Sequence, residues 1–166
     1  MLTRGQQRLV VVLPLEPLRT GDAFLVANWP LHITVLPPFV TESTAAQVAA
    51  VIAEVAATEH SLNVWAGADA LFGRKHDIPV TLVLEHPGLT RLHHRLVEAL
   101  RPFAARPEEP AFTGPGFRAH ITVKGAARVS VGDGLTLTQL ALVDMAPRAD
   151  ASGRAVLATT PLLPGH

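Results

Sequence analysis

The apolar positions of this chain change their spacing several times, and each change marks an element. Leu9-Val10-Val11-Val12-Leu13 is an unbroken apolar run, the pattern of a strand covered on both faces. We expect a strand over Leu9–Leu15, closed by Pro14 and Pro17, with a loop at Arg19-Thr20-Gly21-Asp22. A second strand is expected over Trp29–Leu36, stopping at Pro37-Pro38, where no N–H remains for a ladder. Thr41-Glu42-Ser43-Thr44 offers helix-capping oxygens. Val48, Val51, Ile52 and Val55 then fall at i, i+3, i+4 and i+7, so an Ala-rich helix to about Thr58 buries one stripe. Ser61–Phe72 returns to strand, bent at Gly67, and Gly73-Arg74-Lys75-His76-Asp77 reads as a charged turn. Pro79–Glu85 alternates, with Val80, Leu82 and Leu84 on one face. Pro87-Gly88 opens a second helix to about Phe103, with a core stripe of Leu89, Leu92, Leu96, Leu100 and Phe103. Arg106–Pro110 and Gly114-Pro115-Gly116 punctuate a loop. Strands are expected at Phe117–Gly125, Leu135–Met145 and Arg154–Leu162, separated by a turn at Gly132-Asp133-Gly134 and a polar loop at Pro147–Gly153. The mixture is α+β.

Within this pattern one stretch occurs twice. His32-Ile33-Thr34-Val35 returns letter for letter as His120-Ile121-Thr122-Val123. A single His-x-Thr spacing means little: with eight histidines, on the order of one arises by chance. Four repeated letters, each set in a strand, are a stronger signal. Alternate side chains of a strand point to opposite faces, so Ile33, Val35, Ile121 and Val123 anchor the strands while His32, Thr34, His120 and Thr122 are offered together. The copies lie half a chain apart, each with strands and a helix nearby. That suggests two pseudo-symmetric lobes, roughly residues 1–78 and 79–166, within one domain.

Composition narrows the function. The hydrophobic share of 48% and charged share of 17% describe a folded globular chain of 166 residues, not a disordered one. A formal net charge of zero argues against tracking long nucleic acid by bulk electrostatics. It permits a small substrate, or an RNA end held by a local basic patch. The chain has no cysteine, so disulfides, thiolate metal sites and Cys nucleophiles are excluded. No apolar run approaches a membrane span. The apolar run after Arg4 and Arg8 is broken early by Pro14 and reads as a first strand rather than a leader. A cytoplasmic protein, monomeric and without an obligate protein partner, is expected.

The two H-x-T-hydrophobic motifs resemble those of the two-histidine (2H) phosphoesterase superfamily, and most closely its bacterial 2′-5′ RNA ligase / RNA 2′,3′-cyclic phosphodiesterase branch. Pro30-Leu31 before the first motif and Leu36-Pro37-Pro38-Phe39 after it fit that likeness, as does Phe117-Arg118-Ala119 before the second. The order of elements extends it over about Leu9–Leu163. The resemblance implies lobes of mostly antiparallel sheet with outer helices and a central cleft. It also implies a phosphodiesterase acting on 2′,3′-cyclic phosphate ends of RNA or nucleotides, with 2′-5′ RNA ligase activity as its reverse. His32 and His120 would be catalytic. Histidine titrates near neutrality, so one ring can take a proton from the nucleophile while the other gives one to the leaving oxygen. Thr34 and Thr122 would bind the phosphate, their hydroxyls donating to its non-bridging oxygens.

No cofactor and no metal is expected. Two histidines with a remote carboxylate could hold an ion, but Thr is a poor companion ligand and neither motif carries an acid. Arg118 and Lys124 bracket the second motif and are candidates for substrate phosphate. Gly125 stands where many relatives carry Arg. Phe39 and Phe72, with Phe117 and Trp29, are candidates to stack a base, against a plain core role. Arg74, Lys75 and His76 are read first as a charged turn, with rimming the cleft as the alternative. His93 reads as a packed or capping histidine on the second helix, and His60, His86 and His166 as loop or terminal residues. Two other readings stay open: a non-catalytic module that binds a nucleotide or RNA end, and a phosphodiesterase for another small cyclic phosphate.

Overall fold

The computed structural model describes residues 2–105 and 116–165. The loop expected at Arg106–Pro110, Gly114-Pro115 and His166 lie outside the described residues. Among the described residues nine strands form one antiparallel sheet: β1 (Gln7–Pro14), β2 (Ala23–Leu25), β3 (His32–Thr41), β4 (Leu62–Phe72), β5 (Ile78–Val83), β6 (His120–Thr122), β7 (Gly134–Leu137), β8 (Gln139–Asp144) and β9 (Gly153–Pro161). Their order is β2-β9-β8-β1-β3-β6-β5-β4-β7. Two helices, α1 (Ala45–Ala56) and α2 (Pro87–Leu100), pack on each other and against β9 and β3. The α+β class and the mostly antiparallel sheet are as the sequence predicts.

The helices cover one face of the sheet, and the main core lies beneath them. Leu9, Val11, Leu13, Ile33, Leu36 and Ile121 point into it, meeting Val48 and Ile52 of α1 and Leu89, Leu92, Leu96 and Leu100 of α2. Val10 and Val12 point the other way, into a smaller cluster with Trp29, Ala141, Val143 and Val156. β1 is thus buried on both faces, which is why its sequence does not alternate. α1 begins where the capping chemistry places it. The Thr44 hydroxyl accepts from Gln47 N at 3.2 Å, and the Gln47 side chain accepts from Thr44 N at 2.9 Å, a reciprocal capping box.

Several expectations need correction. β3 does not stop at Pro37-Pro38 but continues to Thr41. Its register against β1 slips between Leu9↔Phe39 and Val12↔Thr34, so bulges fall around the prolines, where missing N–H groups break no ladder bond. The Leu135–Met145 run is two strands: β7 pairs with β4, whereas β8 pairs with β1 and β9. The chain changes partner at Thr138, and the run of strand-forming residues across it does not reveal that. β2 was not foreseen, and β6 is only three residues long. On β5 both faces are covered in part: Val80, Thr81 and Val83 are buried, Thr81 opposite core residue Ile121, while Leu84, just past the strand, is 55% exposed.

The halves of the sheet do not follow the sequence midpoint. β8 and β9 lie with β1 and β3, and β4 lies with β5, β6 and β7. The two motif strands, β3 and β6, meet at the junction. They are paired neighbours in one sheet rather than opposing walls.

Candidate active site

Ile33 pairs directly with Ile121, and both are buried in the helix-side core. One step along either strand reverses the face. His32, Thr34, His120 and Thr122 therefore lie on the face away from the helices, His32 across from Thr122 and Thr34 across from His120. The two histidines are diagonal neighbours, a relation that separates Cβ atoms by about 7–8 Å or a little less. A small tetrahedral anion over the Ile–Ile pair would have an imidazole on either side and a threonine hydroxyl at each flank.

Each ring is held by the residue two places before it, just ahead of its strand. His32 Nδ1 lies 2.8 Å from Pro30 O, and His120 Nδ1 lies 2.8 Å from Arg118 O. A carbonyl oxygen only accepts, so in both rings Nδ1 donates and the neutral ring keeps its lone pair on Nε2. The repeat is thus one of hydrogen bonding as well as letters.

The surroundings of the two rings differ. His32 is 8% exposed and stacks on Trp29 with centroids 3.9 Å apart. Burial pulls its pKa down to about 4. The Pro30 carbonyl opposes this, and the charges of Lys124, His120 and Arg154 reinforce it. His32 is accordingly a neutral acceptor at neutral pH. His120 is half-buried and leans on Phe72 with centroids 4.6 Å apart. Beside it a cavity of about 670 Å³ is lined by Thr34, Phe72, His76, Phe117, Arg118 and His120, among others. His32 and Thr122 are not part of that lining. A larger groove of about 1050 Å³ runs along α2 past Arg91, His94 and Glu98, touching neither motif. The motif chemistry lies at the smaller cavity.

The other candidates separate clearly. Phe72 faces the cavity, and the Arg118 guanidinium sits 5.3 Å from its ring centroid. Phe39 does not: it is fully buried on the helix side, opposite Leu9. Reading it as a base-stacking residue is incorrect, because the bulges keep it on the core face. Lys124 lies away from the cavity lining, with Nζ 5.8 Å from the Trp29 centroid. Of the charged turn, His76 lines the cavity, from a backbone with φ of 50°, and Arg74 and Lys75 do not. His93 is packed as expected: its Nδ1 donates to Val35 O at 2.7 Å, and its ring stacks on Phe117 at 4.1 Å. It so links α2 to the first motif strand and to the approach to the second. His86 is a helix cap, its Nδ1 accepting from Gly88 N at 3.0 Å.

Arg154 was missed. It lies on β9 with its guanidinium carbon 5.2 Å from the Trp29 centroid, on the side of the sheet that carries His32. The only cue in sequence is its parity with Val156, and parity is informative only once the register is known. Among the described residues no three His, Cys, Asp or Glu side chains gather as a metal-binding group.

The chain and its fold match a known family. Residues 10–139 match the 2′-5′ RNA ligase superfamily, and the chain belongs to it. The Thermus thermophilus protein TT0787 is similar in structure, with a TM-score of 0.62 and 19% identity over 96% of this chain and 100% of that one. LigT from E. coli, crystallised with 3′-AMP, superposes with a TM-score of 0.58 and 15% identity over 95% and 99% of the respective chains. A crystal structure described as a phosphoesterase gives 0.56 and 16% over 95% and 99%. At these identities the likeness is one of fold. No protein among those with curated functions matches this chain in sequence.

Proposed function

We propose that the protein is a metal-independent phosphodiesterase that opens 2′,3′-cyclic phosphate ends of RNA or nucleotides, with His32 and His120 as its acid–base pair. The observation that carries this reading is the matched pair of imidazoles on neighbouring strands, each tied through Nδ1 and each leaving Nε2 free. Two proton-transferring nitrogens flanking one anion site are what in-line displacement at phosphorus needs. Membership of the 2′-5′ RNA ligase superfamily supports the same reaction class, and the nucleotide in the LigT crystal supports a nucleotide ligand.

His32, neutral and buried, is the base. Its Nε2 takes a proton from water as the water oxygen bonds to phosphorus. The bond from phosphorus to one ribose oxygen breaks, and that oxygen takes a proton from His120 Nε2. Thr34 and Thr122 donate to the non-bridging oxygens as charge builds there. Arg118 and Phe72 border the cavity and hold the nucleoside, the guanidinium and the ring together presenting a flat face. A 5′-hydroxyl in place of water, with the proton transfers unchanged, forms a 2′-5′ linkage.

The test is hydrolysis of nucleoside 2′,3′-cyclic phosphates in EDTA. Product is expected from the wild type, with kcat/KM lower by about 10²–10⁴ in His32→Ala and in His120→Ala. Absence of turnover for every such substrate, or full activity in either variant, sinks the assignment.

A further inference from the structure

A second charged site lies on the other side of His32 from the cavity. Three side chains from distant segments meet there: Trp29 before β3, Lys124 after β6 and Arg154 on β9. The Trp29 ring stacks on His32, with Arg154 Cζ 5.2 Å and Lys124 Nζ 5.8 Å from its centroid. Both cations are half-buried. Each has its pKa lowered, first by burial and then by a neighbouring positive charge, Arg154 acting on Lys124 and Arg8 on Arg154. Neither takes part in an ion pair among the described residues. The ion pairs there join Arg91 and Arg95 to Glu59, Arg101 to Glu98 and Arg128 to Asp69.

Two half-buried cations side by side are costly unless an anion joins them, and the carboxylate that acts on Arg154, that of Asp144, opposes the lowering without forming an ion pair with it among the described residues. The site is also built rather than incidental. Arg154 Nη1 donates to the carbonyls of Met145, Ala151 and Gly153 at 2.9, 3.0 and 2.7 Å, which fixes the guanidinium plane. Two buried donors, Trp29 Nε1 and Arg154 Nε, have no hydrogen-bond partner among the described residues, and Trp29 is only 6% exposed. Buried donors of this kind are ordinarily satisfied.

We propose that Lys124 and Arg154, gathered about Trp29, form a second phosphate subsite, so that the preferred substrate carries another phosphate within one nucleotide of the reacting one. The inference rests on the phosphodiesterase reading for what occupies the space between the histidines. The second phosphate has two possible sources, the 5′-phosphate of the same nucleotide or the internucleotide phosphate of an RNA end.

Binding without turnover tests this apart from catalysis. In a Trp65→Phe background Trp29 is the sole tryptophan, and its fluorescence reports ligand at this wall. The ligands are 3′-AMP, adenosine 3′,5′-bisphosphate and the dinucleotide ApA with a 3′-phosphate. At least one of the two ligands with a second phosphate should bind about tenfold or more tighter than 3′-AMP, a factor worth about 1.4 kcal/mol. Which of them does so identifies the source. In Lys124→Met the ligands should converge in affinity. Equal affinity of the unsubstituted site for all three overturns the proposal, as does a preference retained in Lys124→Met. Loss of turnover with the binding preference intact would instead count against the catalytic reading.

Discussion

Two histidines with the same hydrogen bond have been given different environments, and the difference has a thermodynamic signature. In the unfolded chain His32 titrates near 6.5, and in the fold it is pulled down to about 4. Between those values the unfolded chain accepts a proton that the native state refuses. Native stability should therefore fall as pH drops from about 6.5 to 4, by roughly 3 kcal/mol from this residue. Above 6.5 the residue contributes no slope. His93, lowered by burial against its bond to Val35 O, acts with the same sign. Denaturant melts at pH 7.5, 5.5 and 4.5 should show the decline, and His32→Gln should shrink it. An equal decline in that variant would mean that His32 is not the buried neutral base described.

At the scale of elements, the strands determine which aromatic rings serve the core and which serve the cavity. Phe39 and Phe72 are alike as letters, but the bulged β3 turns Phe39 under the helices while β4 turns Phe72 to the cavity. Phe39→Ala should cost about 3–5 kcal/mol of stability, read from denaturant midpoints, with little change in KM for the folded fraction. Phe72→Ala should raise KM several-fold and leave the midpoint within about 1 kcal/mol. The reverse outcome would mean that β3 runs in another register. Much of this was legible beforehand. The unbroken run of β1, the stripe of α2 and the repeated tetrapeptide each follow from periodicity that a sequence displays directly. What escaped depended on strand partners. The proline pair is tolerated because of bulges against β1. Thr138 divides one strand-like run because its two sides pair in different parts of the sheet. Arg154 reaches Trp29 only because β9 returns alongside β8.

For the whole molecule, charge is balanced overall and concentrated locally. The net charge is zero, yet Arg118 borders the cavity and Lys124 and Arg154 flank Trp29. Under the proposed function, such a charge distribution suits recognition of an end rather than a length. Extending an RNA substrate from two to ten nucleotides with the same 2′,3′-cyclic terminus should change kcat/KM by less than about threefold at 150 mM salt. A long basic track would give a steep gain that salt removes. A tenfold gain with length would show that further contacts lie along the surface. The sheet explains why the two motifs must be far apart in sequence and close in space. β3 and β6 are neighbours only after β4, β5 and α2 have been placed between them in the chain.

The self-contained anchoring of each imidazole has one more consequence. Because the carbonyls of Pro30 and Arg118 lie in the chain just two residues ahead of the rings they hold, deleting one ring leaves the other correctly aimed. A half-dismantled centre of this kind should accept a diffusible replacement. His120→Gly, beside an open cavity, should regain activity when free imidazole is added. His32→Gly, whose vacated space is roofed by an indole, should stay silent at the same concentration.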